Sequence, residues 1–352
     1  MSNLSGLCLG VTLSFFASLA LAQQQGPGPL PEDPVKAQQQ RQLTQPGNNS
    51  DVWKQVRSGK AEYNTTTVKG RETDILVQSM GDTWRRIRNG PVTFYGGLLV
   101  VLVAAAILGF YAIFGPVKVH GKPTGRLIQR FSRLDQVVHW SVAISFCILG
   151  LSALIMLFGK HVLLPIIGYT LFGWLTALSK NLHNFVAPIF IVSVAAMIVL
   201  YVRHNLPKAY DMKFLLGAFD VMARGKHIPS GKFNGGEKVW FWGGVVVLSI
   251  VVTWSGLILL FPNFDQTRAV MQEAWIWHAC AGLLYISISF GHMYLGTIGL
   301  DGSYQAMRTG YVDETWAKEH HQYWYDEMKA SARQPAGGGA LPAGAPHAEE
   351  KS

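Results

Sequence analysis

Five apolar runs, each about 20 residues long and therefore long enough to cross a lipid bilayer as a helix, dominate this sequence. Because a backbone surrounded by hydrocarbon must satisfy its own hydrogen bonds, such runs fold as helices. The composition agrees, since 49% of the residues are hydrophobic and only 14% are charged. The sequence therefore predicts an all-α membrane protein. Its spans are residues 92–115, 136–158, 183–202, 239–261 and 274–298.

The net charge of +9 lies largely in loops beside the spans, which argues for membrane topology and against a nucleic-acid partner. With the amino terminus outside, loops 116–135 and 203–238 face the cytoplasm and carry five and seven lysines or arginines. Loops 159–182 and 262–273 then face outward with two and one. Because positive residues favour cytoplasmic loops, this asymmetry predicts a multi-pass protein with a cytoplasmic C terminus.

The two ends of the chain have compositions of their own. Residues 1–22 have a short apolar core that ends in Ala-Leu-Ala before a run of glutamines, which predicts a signal peptide. Segment 23–91 is then expected in the periplasm, with 23–47, rich in Gln, Pro and Gly, disordered. The tail 303–352 is expected in the cytoplasm, and its last part, 334–352, is expected to be disordered.

A sixth apolar run, residues 162–178, is shorter and is interrupted by Pro165, Gly168 and Gly173. If this run crossed the membrane, the loop with seven positive residues would lie outside. The sequence therefore predicts an interfacial or re-entrant piece on the outer face.

Four of the eleven histidines lie inside spans. His278 and His292 are 14 residues apart in one span, which is roughly 21 Å along a helix and nearly the same face. His139 lies near the cytoplasmic start of its span and His183 at the outer start of the next. The four sort by depth into an inner pair, His139 with His292, and an outer pair, His183 with His278. Since imidazole ligates haem iron, this arrangement predicts two bis-histidine haems stacked across the bilayer.

Histidines inside a membrane also have purely structural roles. Such a residue can simply bond to a neighbouring helix or reach the interface, and a role of this kind is best suited to His183, at the edge of its span. Four histidines paired by depth are harder to account for in that way.

The three cysteines form no Cys-x-x-Cys pattern, so iron–sulfur clusters, thiolate zinc sites and covalently attached haem are unsupported.

Several stretches resemble the gamma subunit of membrane-bound respiratory formate dehydrogenases, a di-haem cytochrome b, in a long form with a leader and an extra first span. Together they cover roughly residues 125–328. The stretches are RFSRLDQVVHWSVAISFCILGLSAL at 130–154, the segment from His183 onward, GKFNGGEK at 231–238, the span with His278 and His292, and WAKEHHQYWY at 316–325.

The resemblance implies a four-helix transmembrane bundle within residues 116–302 that holds two haems b, plus one additional N-terminal transmembrane helix at 92–115. It also implies a quinone pocket beside the inner haem, formed by Asn234 and Gly236. The implied axial ligands of the haem irons are His139 and His292 for the inner haem and His183 and His278 for the outer haem.

The resemblance further implies a role in the bacterial inner membrane. Formate would be oxidised by a molybdenum or tungsten alpha subunit, and electrons would reach this chain through a periplasmic iron–sulfur beta subunit. The chain would pass them across the membrane to quinone on the cytoplasmic side. It would be an electron-transfer and quinone-reducing subunit without a catalytic residue for formate.

Three alternatives remain open. The cytochrome b subunit of a hydrogenase or thiosulfate reductase shares the scheme of paired histidines. In a different class, a proton-conducting transporter would use the intramembrane histidines as relays, although the sequence shows neither an internal repeat nor an intramembrane carboxylate. A passive membrane anchor would need only one span.

Overall fold

The computed structural model describes Ser58 and residues 80–333, apart from 263 and 265. The predicted signal peptide, the predicted disorder of 23–47 and the tail 334–352 lie outside the described residues. Five helices of the described part are long and apolar enough to cross a membrane, which confirms the predicted all-α membrane protein. These helical segments are Gly81–Phe114, Arg133–Val162, Leu164–His204, Gly235–Leu260 and Arg268–Gly299.

The first span is one helix with a wider turn inside it. Helix α1 (Gly81–Ile87) leads into the π-helical turn Arg88–Val92, which contains Pro91, and then into α2 (Thr93–Phe114). A proline inside a helix removes one backbone donor and crowds the preceding turn, so a π-helical turn accommodates it. The start of the span is held by Arg88, whose guanidinium lies 5.4 Å from the ring centroid of Trp84.

The second and third spans are α3 (Arg133–Val162) and α4 (Leu164–Tyr201). Gly168 interrupts α4 with φ 75° and ψ 174°, a conformation open to glycine, and the helix resumes after it. The sixth apolar run is thus the first part of the helix that carries His183, so this helix begins well before the predicted start of its span at residue 183. The predicted interfacial or re-entrant position of the run on the outer face stays a prediction. Pro165 stands in the first turn of α4, where a missing N–H costs little, and Gly173 is tolerated inside the helix.

The remaining elements follow in chain order. The described residues contain one two-stranded sheet, in which β1 (Leu127–Gln129) pairs antiparallel with β2 (Tyr311–Asp313). The later helical elements are the 3₁₀ turn Val202–His204, α5 (Ala209–Leu216), α6 (Ala218–Arg224), α7 (Gly235–Trp240), the π-helical segment Phe241–Leu248, α8 (Ser249–Leu260), α9 (Arg268–Tyr294), the π-helical turn Leu295–Gly299, α10 (Ser303–Thr309), α11 (Glu314–His320) and α12 (Gln322–Arg333).

The contacts divide the chain into two compact units, and each of the five long helices contributes residues to both. The first unit comprises the described part of Met1–Ala105 with Ser141–Val192 and Leu248–Ile288. The second comprises the rest of the described chain: Ala106–Trp140, Ser193–Val247 and the residues from Ser289 onward.

In the first unit, α9 packs against three other helices. A Cβ at Gly96 would lie 2.4 Å from Leu283 Cδ1, so the glycine lets α2 approach α9 closely. Tyr285 of α9 shares a 3.0 Å hydrogen bond with Ser249 of α8, and its ring lies 4.7 Å from that of Phe146 on α3. Small and aromatic side chains therefore set the helix spacing.

In the second unit, the buried Arg130 side chain joins the stretches on which the family resemblance rests. Its Nη2 donates to the carbonyl of Lys232 at 2.8 Å and lies 3.1 Å from Glu237 Oε1, both in GKFNGGEK. Its guanidinium lies 5.0 Å from the ring centroid of Trp316, in WAKEHHQYWY. The His321 Nδ1 adds a 2.8 Å hydrogen bond to the carbonyl of Gly231. These polar contacts fix two segments that are distant in sequence against the start of α3.

Helix α12 is also held by hydrogen-bonded and ionic contacts. The Tyr325 hydroxyl donates to the Glu314 carboxylate, and Lys329 and Arg126 form ion pairs with it. These contacts lower the pKa of the Glu314 carboxyl below its usual value. The stretch WAKEHHQYWY is therefore held on both sides, by Arg130 and by this ion cluster.

Candidate functional site

The four predicted histidines form two close pairs. In the first unit, the ring centroids of His183 and His278 are 6.0 Å apart. In the second unit, those of His139 and His292 are 6.2 Å apart. Metal–imidazole bonds are about 2 Å long, so two imidazoles on opposite sides of one metal ion have centroids about 6 Å apart. Both pairs therefore have the spacing of a bis-imidazole metal site.

The ring of His183 is oriented by a serine on the neighbouring helix. The Ser152 hydroxyl donates to the carbonyl of Leu149 at 2.9 Å, and its oxygen lies 2.9 Å from His183 Nδ1. With the serine hydrogen on the Leu149 carbonyl, the Ser152 oxygen accepts and His183 Nδ1 donates in this contact. The proton of the neutral imidazole is thus on Nδ1, and the lone pair is on Nε2.

His278 is held in the same tautomer by α8. Its Nδ1 lies 3.0 Å from the carbonyl of Val252, which can only accept, and 3.2 Å from the Ser255 hydroxyl. A Cβ at Gly256 would lie 3.0 Å from His278 Cε1, so glycine leaves room for the ring. His278 therefore also presents Nε2 as a lone-pair donor, which is the state in which histidine binds a metal.

The inner pair is framed by tryptophans. Trp140 meets the His139 ring edge-on at 5.4 Å, and Trp240 stacks on the His292 ring at 4.8 Å with 13° between the planes. The Nδ1 of His139 is buried without a hydrogen-bond partner in the described part of the chain. A buried imidazole nitrogen without a partner costs free energy, so this side of the His139 ring has room for a further polar contact.

Trp240 reaches His292 because of the local sequence around α7. Asn234 caps α7, since its Oδ1 accepts from the backbone N–H of Glu237 at 2.9 Å and the Glu237 carboxylate accepts from the backbone N–H of Asn234 at 2.8 Å. Trp240 is the last residue of this helix. A Cβ at Gly244 would lie 2.6 Å from the Trp240 ring, so only glycine lets the indole lie there.

The two predicted quinone residues lie at the start of α7. Asn234 is half-buried and Gly236 is exposed. A Cβ at Gly236 would lie 3.3 Å from Asn234 Oδ1, so the two residues are immediate neighbours. Sequence reasoning missed Trp240 and Gly244, although the glycine pair after Trp-Phe-Trp is a visible signal of close packing.

The residues around the pairs fit a flat macrocycle. Among the described residues, no atom outside the adjoining part of α9 lies within 4 Å of a Cβ built at Gly282, one turn after His278, or at Gly291, beside His292. Neutral imidazoles are donors that suit iron and other transition metals, whereas magnesium and calcium prefer oxygen ligands. The paired donors and the open glycine positions therefore match the requirements of a haem with two histidine ligands.

Comparison with known proteins identifies the family. A model of the prokaryotic cytochrome b561 family matches residues 130–310, which include all four histidines. The chain belongs to this family. Its membership of a cytochrome b family implies that it binds haem b and takes part in electron transport.

The curated relatives are subunits of formate dehydrogenases. The cytochrome b556(Fdn) subunit of the nitrate-inducible formate dehydrogenase of Escherichia coli K12 is 31% identical over 219 residues, which are 59% of this chain and 95% of the relative. The cytochrome b556(fdo) subunit of the same organism is 27% identical over 217 residues, 59% and 97% of the two chains. The cytochrome b556 subunit from Haemophilus influenzae is 24% identical over 203 residues, 54% and 79%.

Gly244→Ala tests the stacking of Trp240 on His292. The new Cβ forces the indole away from the imidazole, and we expect a loss of about 1–3 kcal/mol in stability together with an altered haem b spectrum. Gly243→Ala is the matched control, because a Cβ there would have no atom of the described chain within 4 Å outside the adjoining part of its own helix. Thermal unfolding and visible spectra in detergent measure both effects. Equal behaviour of the two variants would contradict the stacking role.

Proposed function

We propose that this chain is the cytochrome b subunit of a respiratory formate dehydrogenase and links an iron–sulfur partner to membrane quinone. The observation that carries the proposal is that four imidazoles form two pairs, with ring centroids 6.0 and 6.2 Å apart. The chain belongs to a family of cytochromes b, and its matched relatives are formate dehydrogenase subunits. One helix, α9, supplies a histidine to each pair.

Each pair is proposed to hold one haem b, with His183 and His278 as ligands of the outer haem and His139 and His292 of the inner haem. Haem b, when bound, supplies one-electron redox chemistry at its iron. Ser152 and Val252 accept hydrogen bonds from Nδ1 of His183 and His278 and so hold these protons in place. Such hydrogen bonds orient the ring and raise its basicity, which favours oxidised iron.

The partners follow from the same proposal. Electrons come from formate oxidised by a molybdenum or tungsten alpha subunit and arrive through an iron–sulfur beta subunit on the periplasmic side. The topology inferred from loop charges supports this side for the outer pair. This chain supplies binding and orientation, and none of its residues is proposed to oxidise formate. The location is the bacterial inner membrane, with the N-terminal segment periplasmic and the C terminus cytoplasmic.

Quinone is proposed to bind beside the inner pair, at Asn234 and Gly236. The support is local: α7 begins at these residues and ends at Trp240, which stacks on His292. The Asn234 Oδ1 is committed to the helix cap, so its amide group is the part that can donate to a quinone oxygen. Protons for the reduced quinone come from the cytoplasmic side.

Substitution of the histidines tests the haem proposal. We expect about two haems b per chain in the wild type, measured as pyridine haemochrome, and fewer after alanine replaces any of the four histidines. Double substitutions test the pairing: loss of His183 with His278 removes one haem, whereas loss of His183 with His139 removes both. His161→Ala, a half-buried histidine at the end of α3, keeps both haems.

The double variants also separate the competing outcomes. Full haem content after loss of both members of a pair would contradict the ligand assignment. A well-folded wild-type chain without haem would contradict the cytochrome function and favour a proton-relay role for the histidines.

Asn234→Asp tests the quinone pocket without breaking the helix. Aspartate also caps a helix N-terminus, so α7 is expected to remain intact, while the amide donor is lost. We expect a lower rate of quinone reduction, by about tenfold for one lost hydrogen bond, with unchanged haem content. The rate is measured with the whole complex and a water-soluble quinone. An unchanged rate would remove Asn234 from the pocket.

A further inference from the structure

A second group of metal-ligating side chains lies outside the paired histidines. His120, His227 and Glu319 place one ligand atom each within 4.8 Å of the others, all in the second unit. His120 follows the first span, His227 follows α6, and Glu319 belongs to α11. Three segments that are far apart in sequence therefore meet at one point.

The distances match the edges of a small coordination polyhedron. His120 Nδ1 and His227 Nε2 are 2.9 Å apart, and Glu319 Oε2 lies 3.8 Å from the first and 3.6 Å from the second. Zinc bonds to nitrogen and oxygen are about 2.0–2.2 Å long, so the edges of a tetrahedral zinc site are about 3.3 Å. Shifts of about half an ångström would bring all three atoms onto such edges.

The backbone already orients these ligands. Glu319 Oε2 accepts from the backbone N–H of His120 at 3.0 Å, and Oε1 accepts from that of Gly121 at 2.7 Å. Gly225, with φ 67°, lies against the His120 ring, where a Cβ would be 3.1 Å from Cε1. Hydrogen bonds of this kind, from the protein to a ligating carboxylate, are typical of outer-shell support in metal sites.

A third imidazole, that of His320, borders the cluster. The rings of His227 and His320 are 5.9 Å apart, and His320 Nε2 is buried without a hydrogen-bond partner among the residues described. The His120 and His227 side chains are 59% and 38% exposed, so an ion can reach the site from solvent. The cluster thus combines accessible ligands with one unsatisfied nitrogen nearby.

We propose that His120, His227 and Glu319 bind one divalent transition-metal cation of the Zn²⁺ class. Two imidazole nitrogens with one carboxylate oxygen form a donor set that suits zinc, whereas magnesium and calcium select oxygen ligands. The bound cation ties the loop after the first span to the loop after α6 and to α11. This site is separate from the haem ligands, and its existence does not depend on the formate dehydrogenase role.

Zinc titration of the full-length chain tests the site. The protein is purified in detergent with a tag that lacks histidine, stripped with a chelator, dialysed and titrated with Zn²⁺ or Mg²⁺ by calorimetry. We expect one Zn²⁺ per chain, no Mg²⁺ binding, and a higher melting temperature with Zn²⁺, because a ligand that binds the folded state stabilises it.

Variants identify the ligands. His227→Gln and Glu319→Gln are each expected to weaken Zn²⁺ binding at least about 100-fold, since even outer-shell losses cost 10–100-fold. His161→Ala, a histidine outside the cluster, is expected to bind as the wild type does. Gel filtration checks that each variant is folded. The haem b spectrum of the same samples shows whether haem is bound, so a failure of the haem proposal can be told apart from a failure of the zinc site.

Two results would overturn the proposal. One is a folded wild-type chain that binds no Zn²⁺, which would make the cluster a hydrogen-bonded histidine pair beside a carboxylate. The other is unchanged Zn²⁺ affinity in both Gln variants, which would assign any binding to other groups. If either Gln variant fails to fold, His120→Gln replaces it in the same titration.

Discussion

An imidazole ring that lies among apolar helices needs polar partners for its nitrogens. In this protein, neighbouring helices supply those partners to the outer histidines. His183 and His278 each direct Nδ1–H toward an oxygen of the neighbouring helix, supplied by Ser152 and by Val252 with Ser255. This contact leaves the lone pair of Nε2 available in each ring. The spacing of 6.0 Å between the rings is therefore a consequence of helix packing at small residues.

The surroundings of the inner pair depend on contacts between segments that are distant in sequence. Arg130 holds GKFNGGEK and WAKEHHQYWY against the start of α3, and the Asn234 cap begins the short helix that ends at Trp240. Gly244 then lets the indole stack on His292. The polar contacts of Arg130 and the Asn234 cap thus support the position of the Trp240 ring against His292.

The sequence was sufficient for the number of long apolar helices and for the histidine pairs, because apolar length and helical periodicity are local signals. The separation of 14 positions between His278 and His292 places both on nearly the same face of α9, and the predicted depths of His139 and His183 assigned each the partner that lies near it in the structure. It was not sufficient for the sixth run, which is helical, is interrupted at Gly168 and then continues as the helix that carries His183. The Trp240 stack and the cluster of His120, His227 and Glu319 require contacts between distant segments, which no local pattern encodes.

If His183 ligates one of two haems through Nε2 while Ser152 holds its Nδ1 proton, a redox titration of Ser152→Ala is the decisive experiment. Ser145→Ala is the control, because that buried serine of the same helix donates to the carbonyl of Ser141. We expect two one-electron components, one of which rises by on the order of tens of millivolts in Ser152→Ala only. A single component, or identical titrations of the two variants, would contradict this ligation.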